Sequence, residues 1–252
     1  MNGHLLEVRG LTKRYGGLVV SDGIDLGIRR LETHALIGPN GAGKTTLIGQ
    51  LSGALAPDHG TVVFEGRDVT GLTAHERAQI GFARSFQITS VLAGFTVLEN
   101  VALAVQARSG SSFRFWRPVA REASLYEEAG RILRLVGLEG MERRTAGLLS
   151  HGEHRQLEVA LALATQPRLL LLDEPMAGMG PEESARMVGL IERIKPDHTI
   201  LLVEHDMDSV FRLADRISVM VSGRVIATGS VEDIRANSQV RSAYLGEEEE
   251  TA

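Results

Sequence analysis

Residues 38–45 read Gly-Pro-Asn-Gly-Ala-Gly-Lys-Thr, and this stretch decides the fold. It satisfies the pattern G-x-x-x-x-G-K-[ST] at every fixed position, which predicts a loop that binds the phosphates of a nucleoside triphosphate. Residues 33–37 before it read as a short buried strand, and residues 46–51 after it read as the first turns of a helix. An ordinary glycine-rich turn is the alternative, but the motif and its strand–loop–helix setting agree.

The chemistry of the loop follows from its residue types. Gly38, Gly41 and Gly43 let the backbone curl until successive N–H groups point at one anion. The helix that follows adds partial positive charge at the same place. Lys44 can reach the β- and γ-phosphates, and the hydroxyl of Thr45 can ligate Mg²⁺. The loop therefore predicts a nucleoside triphosphate with Mg²⁺ as the bound cofactor.

Composition limits the other function classes. The chain has 252 residues, enough for one large domain, and it has no cysteine, so disulfides and cysteine-ligated metal sites are excluded. The net charge is -5 and no basic block stands out, so nucleic acid is not a predicted partner. Residues 1–7 do not resemble a signal peptide, and no run of about 18 apolar residues predicts a membrane span.

The order of strands and helices predicts a doubly wound α/β core. Residues 5–31 and 60–69 read as antiparallel strands, with turns expected at 15–17, 21–23 and 65–67. Helical spacing marks residues 96–107 and 121–137, and from residue 150 helices alternate with apolar strands up to a closing hairpin at 217–227. Residues 109–118 read as a loop-like insert, and Glu247 to Glu250 predict a disordered acidic tail.

Three candidate catalytic side chains follow two predicted buried strands. Asp173 and Glu174 end one strand, where open α/β sheets bind ligands. Asp173 can hold Mg²⁺, usually through water, and Glu174 can polarise a water for attack on the γ-phosphate. His205 ends the next strand and can contact the same phosphate. The alternative for the acids is a helix cap, which their pairing with the phosphate loop disfavours. The alternative for His205 is a structural role, which the shared sheet edge disfavours.

A second anion site is predicted at residues 149–153, Leu-Ser-His-Gly-Glu, before a long helix. The hydroxyl of Ser150, the backbone of Gly152 and the helix N-terminus could hold a phosphate. One nucleotide does not need two phosphate-binding sites in the same chain. The simplest explanation is therefore that this second anion site contacts the γ-phosphate of a nucleotide bound to another subunit. Ser150 is alternatively a helix cap that forms a capping box with Glu153, and both interpretations can hold together.

With these motifs in order, residues 5–245 closely resemble the nucleotide-binding subunit of an ABC transporter. The resemblance implies a P-loop ATPase core with an antiparallel β-subdomain and an inserted helical subdomain at about 88–148, followed by the tail 246–252. Tyr15 matches the aromatic that stacks on adenine, and Asn40, Ala42 and Thr46 complete the Walker A loop. Gln87 matches the Q-loop glutamine, a catalytic and magnesium-binding residue.

The remaining matches are the signature motif at 150–153, Walker B with its catalytic glutamate at 173–174, and the switch histidine at His205. Two departures occur. His151 and Glu153 replace Gly and Gln of the usual LSGGQ signature, and Gly180 stands where aspartate is common, so Gly180 is given no role. His151 and His154 also have metal-pair spacing, but no third ligand is evident.

Three features look like those of importer subunits for branched-chain amino acids, and urea and amide importers are similar. They are the signature sequence LSHGE-x-RQLE, the sequence AGM after Walker B and the insert near 108–118. The resemblance implies a dimer of identical or paralogous subunits that binds transmembrane permease subunits and acts indirectly with a solute-binding protein. It also implies a peripheral location at the cytoplasmic face of the inner membrane. Alternatives are a soluble ABC-type ATP clamp in cofactor assembly, a lipopolysaccharide-export ATPase and, more weakly, a small-molecule kinase.

Overall fold

The computed structural model describes residues 3–85, 91–108 and 119–242. Ten strands and eight α-helices occur in these ranges. They are β1 (His4–Tyr15), β2 (Leu18–Arg29), β3 (Thr33–Ile37), α1 (Lys44–Ser52), β4 (His59–Phe64), β5 (Arg67–Asp68), α2 (Ala74–Gln79), β6 (Phe82–Arg84), α3 (Val97–Arg108), α4 (Val119–Val136), α5 (His151–Ala164), β7 (Leu169–Asp173), α6 (Pro181–Ile194), β8 (Thr199–Val203), α7 (Met207–Leu213), β9 (Arg216–Val221), β10 (Arg224–Gly229) and α8 (Val231–Ala236).

The central sheet has six strands in the order β10-β9-β3-β8-β7-β6. All neighbours are parallel except β10, which pairs antiparallel with β9. The strands β3 and β8 are buried along their whole length, as expected when helices cover both faces of a parallel sheet. The predicted α/β core is confirmed.

A second, antiparallel sheet has the order β2-β1-β4-β5. The turn predicted at residues 21–23 is wrong, because β2 continues through them. Gly23 adopts a φ of 65°, and its N–H donates to Thr12 Oγ1 at 3.2 Å. The pairing register with β1 shifts at this point, so the glycine produces an irregularity within a long strand.

Helices α3, α4 and α5 pack together through apolar side chains such as Val101, Leu133 and Leu157, all fully buried. Thr96 and Glu99 form reciprocal hydrogen bonds that start α3, as in a capping box. Residues 109–118 of the expected insert and the tail 246–252 lie outside the described ranges, and the domain bounds 5–245 and 88–148 stay predictions. None of the described helices combines the length and apolar character needed to cross a membrane.

The parallel strands bring their carboxyl ends to one edge of the sheet. In the register, Leu36 of β3 lies opposite Val203 of β8, which lies opposite Asp173 of β7. Arg84, the last residue of β6, pairs with Leu171, two residues before the end of β7. The segments that follow β3, β8, β7 and β6 therefore leave the sheet side by side.

Candidate functional site

The phosphate loop connects β3 to α1 and is pressed against the closing hairpin of β9 and β10. A Cβ on Gly38 would lie 2.0 Å from the carbonyl oxygen of Met220, so no other residue fits there without moving the backbone. The N–H of Gly223 donates to the carbonyl of Ala42 at 2.9 Å. The loop therefore has a rear wall made by the C-terminal part of the chain.

Helix α1 begins inside the predicted motif, at Lys44. Its N-cap, Gly43, has a φ of 102°, and a Cβ there would lie 2.4 Å from the carbonyl oxygen of Val20. This left-handed conformation strongly favours glycine and aims the first N–H groups of the helix into the loop. Asn40, Gly41 and Thr45 are exposed on its open side, whereas Ala42 is buried and Thr46 half-buried.

The side chain of Lys44 lies across the mouth of this loop. The residue is only 8% exposed, and its ammonium donates to the carbonyls of Gly38 at 2.5 Å and Pro39 at 3.0 Å. Neutral carbonyls are weaker acceptors than charged phosphate oxygens, for which the hydrogen bond is roughly twice as strong. The cation is thus positioned where an incoming triphosphate can take it over.

Asp173, the last residue of β7, is held by a cation that the sequence reasoning missed. The Arg84 guanidinium donates to Asp173 Oδ2 at 2.8 Å, and both side chains are largely buried. The two are neighbours because β6 and β7 are adjacent parallel strands. The available signal was a charged residue at the end of an otherwise apolar strand, directly before Ser85. The pair orients the predicted magnesium-binding carboxylate.

Glu174 follows in a backbone conformation that non-glycine residues rarely adopt. Its φ is 50°, and its N–H donates to the carbonyl of Val203 at 2.9 Å. Left-handed residues of this kind cost free energy and cluster at functional sites. The half-buried side chain of Glu174 therefore leaves the backbone at a bend directly after β7.

His205 leaves β8 on the same edge, with 66% of its side chain exposed. Glu204 beside it is 1% exposed, and its carboxylate accepts from the N–H groups of Met176 at 3.0 Å and His205 at 3.2 Å. Burial, which disfavours the charged form, raises the pKa of Glu204. Sequence reasoning missed this residue, which ties the turn after Glu174 to the loop that carries His205.

The oxygen donors present at this edge fit a magnesium ion. Mg²⁺ usually takes one or two carboxylates together with substrate phosphates and water. Asp173 supplies a carboxylate and Thr45 an exposed hydroxyl, whereas Gln87 lies outside the described residues. Within the described ranges no three His, Cys, Asp or Glu side chains form a metal cluster, so the pair His151 and His154 gains no third ligand.

Ser150 is the N-cap of α5, and the capping box is present. Its hydroxyl accepts from the N–H of Glu153 at 3.3 Å, while Glu153 Oε2 accepts from the N–H of Ser150 at 2.7 Å. The N–H of Gly152 donates instead to Oε1 of Glu183, at 3.2 Å. His151 Nε2 lies 3.2 Å from the carbonyl oxygen of Ala177. The unusual histidine and glutamate of this motif thus have intramolecular partners.

Tyr15 ends β1 with 52% of its surface exposed, and Lys13 Nζ lies 5.8 Å from the ring centroid. If the ring stacks on adenine, Tyr15→Ala should weaken ATP binding by about 1–3 kcal/mol, whereas Tyr15→Phe should keep it. Calorimetry with ATP and with tripolyphosphate, which lacks a base, measures the effect. An equal loss for both ligands would show that Tyr15 acts structurally.

Two family models match this chain. The model described as ABC transporter matches residues 21–177, which include the phosphate loop and both carboxylates. The model described as branched-chain amino acid ATP-binding cassette transporter matches residues 224–250. The two matches cover different parts of the chain and agree on the type of protein.

Relatives extend the similarity to nearly the full length. The chain is 39% identical to the high-affinity branched-chain amino acid transport ATP-binding protein BraF of Pseudomonas aeruginosa, covering 98% of this chain and 100% of that protein. It is 40% identical to the high-affinity branched-chain amino acid transport ATP-binding protein LivG of Salmonella typhimurium, covering 98% of this chain and 100% of that protein. A probable LivG of Archaeoglobus fulgidus is 38% identical over 96% of this chain and 95% of its own length.

Solved structures agree with the fold. A crystal structure of an ATP-binding cassette of an ABC transporter in its ADP conformation gives a TM-score of 0.84 at 31% identity, covering 96% of this chain and 99% of that chain. A nucleotide-free ATP-binding cassette from an ABC transporter gives a TM-score of 0.82 at 30% identity, covering 96% of this chain and 98% of that chain. The first of these establishes that a nucleotide binds to a cassette of this shape.

Proposed function

The chain belongs to the ABC transporter family and hydrolyses ATP, and from this premise we propose that it drives an importer for branched-chain amino acids. The observation that carries the proposal is the full-length similarity to transport ATP-binding proteins for these solutes. The C-terminal match at residues 224–250 favours the same conclusion over a soluble ATP clamp or a lipopolysaccharide exporter. No contact among the residues that the structure describes specifies the solute, because in this family of proteins a separate pore would carry it.

In the proposed mechanism the phosphate loop and Lys44 hold the β- and γ-phosphates. Thr45, Asp173 and Gln87 would hold Mg²⁺, which supplies charge neutralisation on the phosphate oxygens. Glu174 accepts the proton of the attacking water, and His205 donates a hydrogen bond to the γ-phosphate. His205 is exposed and Glu174 is half-buried at the same edge of the sheet, which supports these two roles.

The proposed working unit is a pair of subunits. Ser150 and Gly152 of one chain would contact the γ-phosphate held by the Walker A loop of the other, as the helix N-terminus at α5 allows. An identical second copy or a paralogue could provide the partner chain. The proposal places this pair at the cytoplasmic face of the membrane, with a solute-binding protein acting on the opposite side.

The surface for the transmembrane permease is proposed to lie on the helical part. Leu92, Phe95 and Leu148 are exposed there, although large apolar side chains usually favour burial. Backbone hydrogen bonds join their segments, from Ala146 to Phe95 at 2.9 Å and from Gly147 to Ala93 at 3.0 Å. The three exposed side chains therefore lie on segments that are joined to each other, which supports docking of a membrane protein there.

Reconstitution tests the solute and the partners together. The chain should co-purify with the membrane proteins encoded beside its gene, and in proteoliposomes it should import labelled leucine only with ATP. A complex carrying Glu174→Gln should assemble and fail to transport, which separates assembly from hydrolysis. Uptake of urea or acetamide in place of leucine would change the solute class, and failure to co-purify with any membrane protein would support the soluble clamp.

A further inference from the structure

The N-terminus of α5 receives a carboxylate from a different helix. The capping box satisfies the N–H groups of Ser150 and Glu153, and the N–H of His154 donates to the carbonyl of Ser150 at 2.9 Å. The N–H of Gly152 instead donates to Glu183 Oε1 at 3.2 Å. The second anion site at Ser150 and Gly152, which would contact the phosphate of the other chain, is called the trans phosphate cradle below. The contact with Glu183 joins this cradle to the first turn of α6.

The carboxylate lies directly over Gly152. A Cβ built on Gly152 would be 2.7 Å from Oε1 and 2.9 Å from Cδ of Glu183, so the acid fills the space that the missing side chain leaves. A phosphate oxygen that approaches the same N–H would enter this space. Two anionic acceptors at one donor repel each other, and the repulsion is strong where water is partly excluded.

The position of Glu183 also couples two segments of the site. Glu183 lies in the first turn of α6, where acids are favoured by the helix dipole. His151 of the signature motif also contacts the loop before α6, since its Nε2 lies 3.2 Å from the carbonyl oxygen of Ala177. Movement of Glu183 away from Gly152 would therefore occur next to the loop that follows Glu174.

We propose that Glu183 occupies the trans phosphate cradle of the unpaired chain and must leave it when two chains close around ATP. This inference rests on the proposed two-chain site. Glu183 is then a positioning residue that sets the ATP-dependent dimerisation constant, because both copies of the contact are broken in each dimer. Its loss should favour the closed pair without changing how one chain binds ATP.

Glu182 provides a matched control, since it is an acid in the same helical turn and is exposed. In a Glu174→Gln background, which is designed to prevent hydrolysis, Glu183→Gln and Glu182→Gln are compared by sedimentation with Mg-ATP. We expect Glu183→Gln to lower the dimer Kd by about 9–25-fold relative to Glu182→Gln, from roughly three- to fivefold for each of two contacts. The ATP affinity of the single chain, measured by calorimetry at low protein concentration, should be unchanged.

The outcomes distinguish a failure of the Glu183 contact from a failure of the two-chain site. If the Glu174→Gln protein dimerises with ATP but Glu183→Gln and Glu182→Gln give the same Kd, the inference fails while the two-chain site stands. If Glu174→Gln stays monomeric with ATP, the inference fails together with a two-chain site built from identical chains. An independent measurement uses the amide resonance of Gly152 without nucleotide, which Glu183→Gln should shift and Glu182→Gln should not; an unshifted resonance overturns the contact itself.

Discussion

Glu174→Gln is expected to bind Mg-ATP normally and to hydrolyse it roughly 10²–10⁴-fold more slowly, which is the usual share of a general base. The substitution keeps the size of the side chain and removes the carboxylate. The backbone at this residue is fixed by its N–H bond to Val203 at 2.9 Å, so the amide should occupy the same place. Phosphate release at saturating ATP measures turnover, and calorimetry measures binding.

The same variant should dimerise only with ATP, because nucleotide trapped between two chains is not hydrolysed. Adding Ser150→Arg should abolish this dimer, since the large side chain fills the trans cradle while the Walker A loop of the same chain stays intact. A Glu174→Gln protein that hydrolyses ATP at the parental rate would remove this residue from the mechanism. A double variant that still dimerises with ATP would exclude Ser150 from the interface.

Lys44→Ala is expected to reduce ATP affinity by about 10–100-fold. The substitution removes the ammonium group that would donate charged hydrogen bonds to oxygens of the β- and γ-phosphates. The lysine already lies at the loop mouth, held by two carbonyls, so little side-chain ordering remains for ATP to impose. Lys195→Ala is the matched control: this lysine pairs with Asp215. Calorimetry with ATP compares the two variants, and equal affinities would contradict the phosphate-loop assignment.

The sequence predicted the elements of the site better than their mutual contacts. The phosphate loop and the ends of β7 and β8 could be predicted as candidate site elements because motif spacing and apolar runs are local signals. Arg84, Glu183 and Glu204 were not found, because each acts on a residue brought close by the fold. Arg84 lies 89 positions from Asp173, and Glu183 lies 31 positions from Gly152. Pairings of that range depend on strand order and helix packing.

The misplaced turn at residues 21–23 has a similar cause. A glycine beside serine and aspartate is typical of turns, and this local preference predicted one. Long-range pairing with β1 overrides it, because the strand accommodates Gly23 in a left-handed conformation without reversing direction. Tertiary hydrogen bonds thus decided between two structures that the local sequence allows.

The rear wall of the phosphate loop has a consequence for synthesis on the ribosome. The loop itself is made early, whereas Met220 and Gly223, which touch Gly38 and Ala42, are made near the end. A growing chain therefore cannot complete its nucleotide pocket until the final hairpin has emerged. We expect chains truncated before this hairpin to lack the rear wall of the loop and to bind ATP more weakly than the full chain.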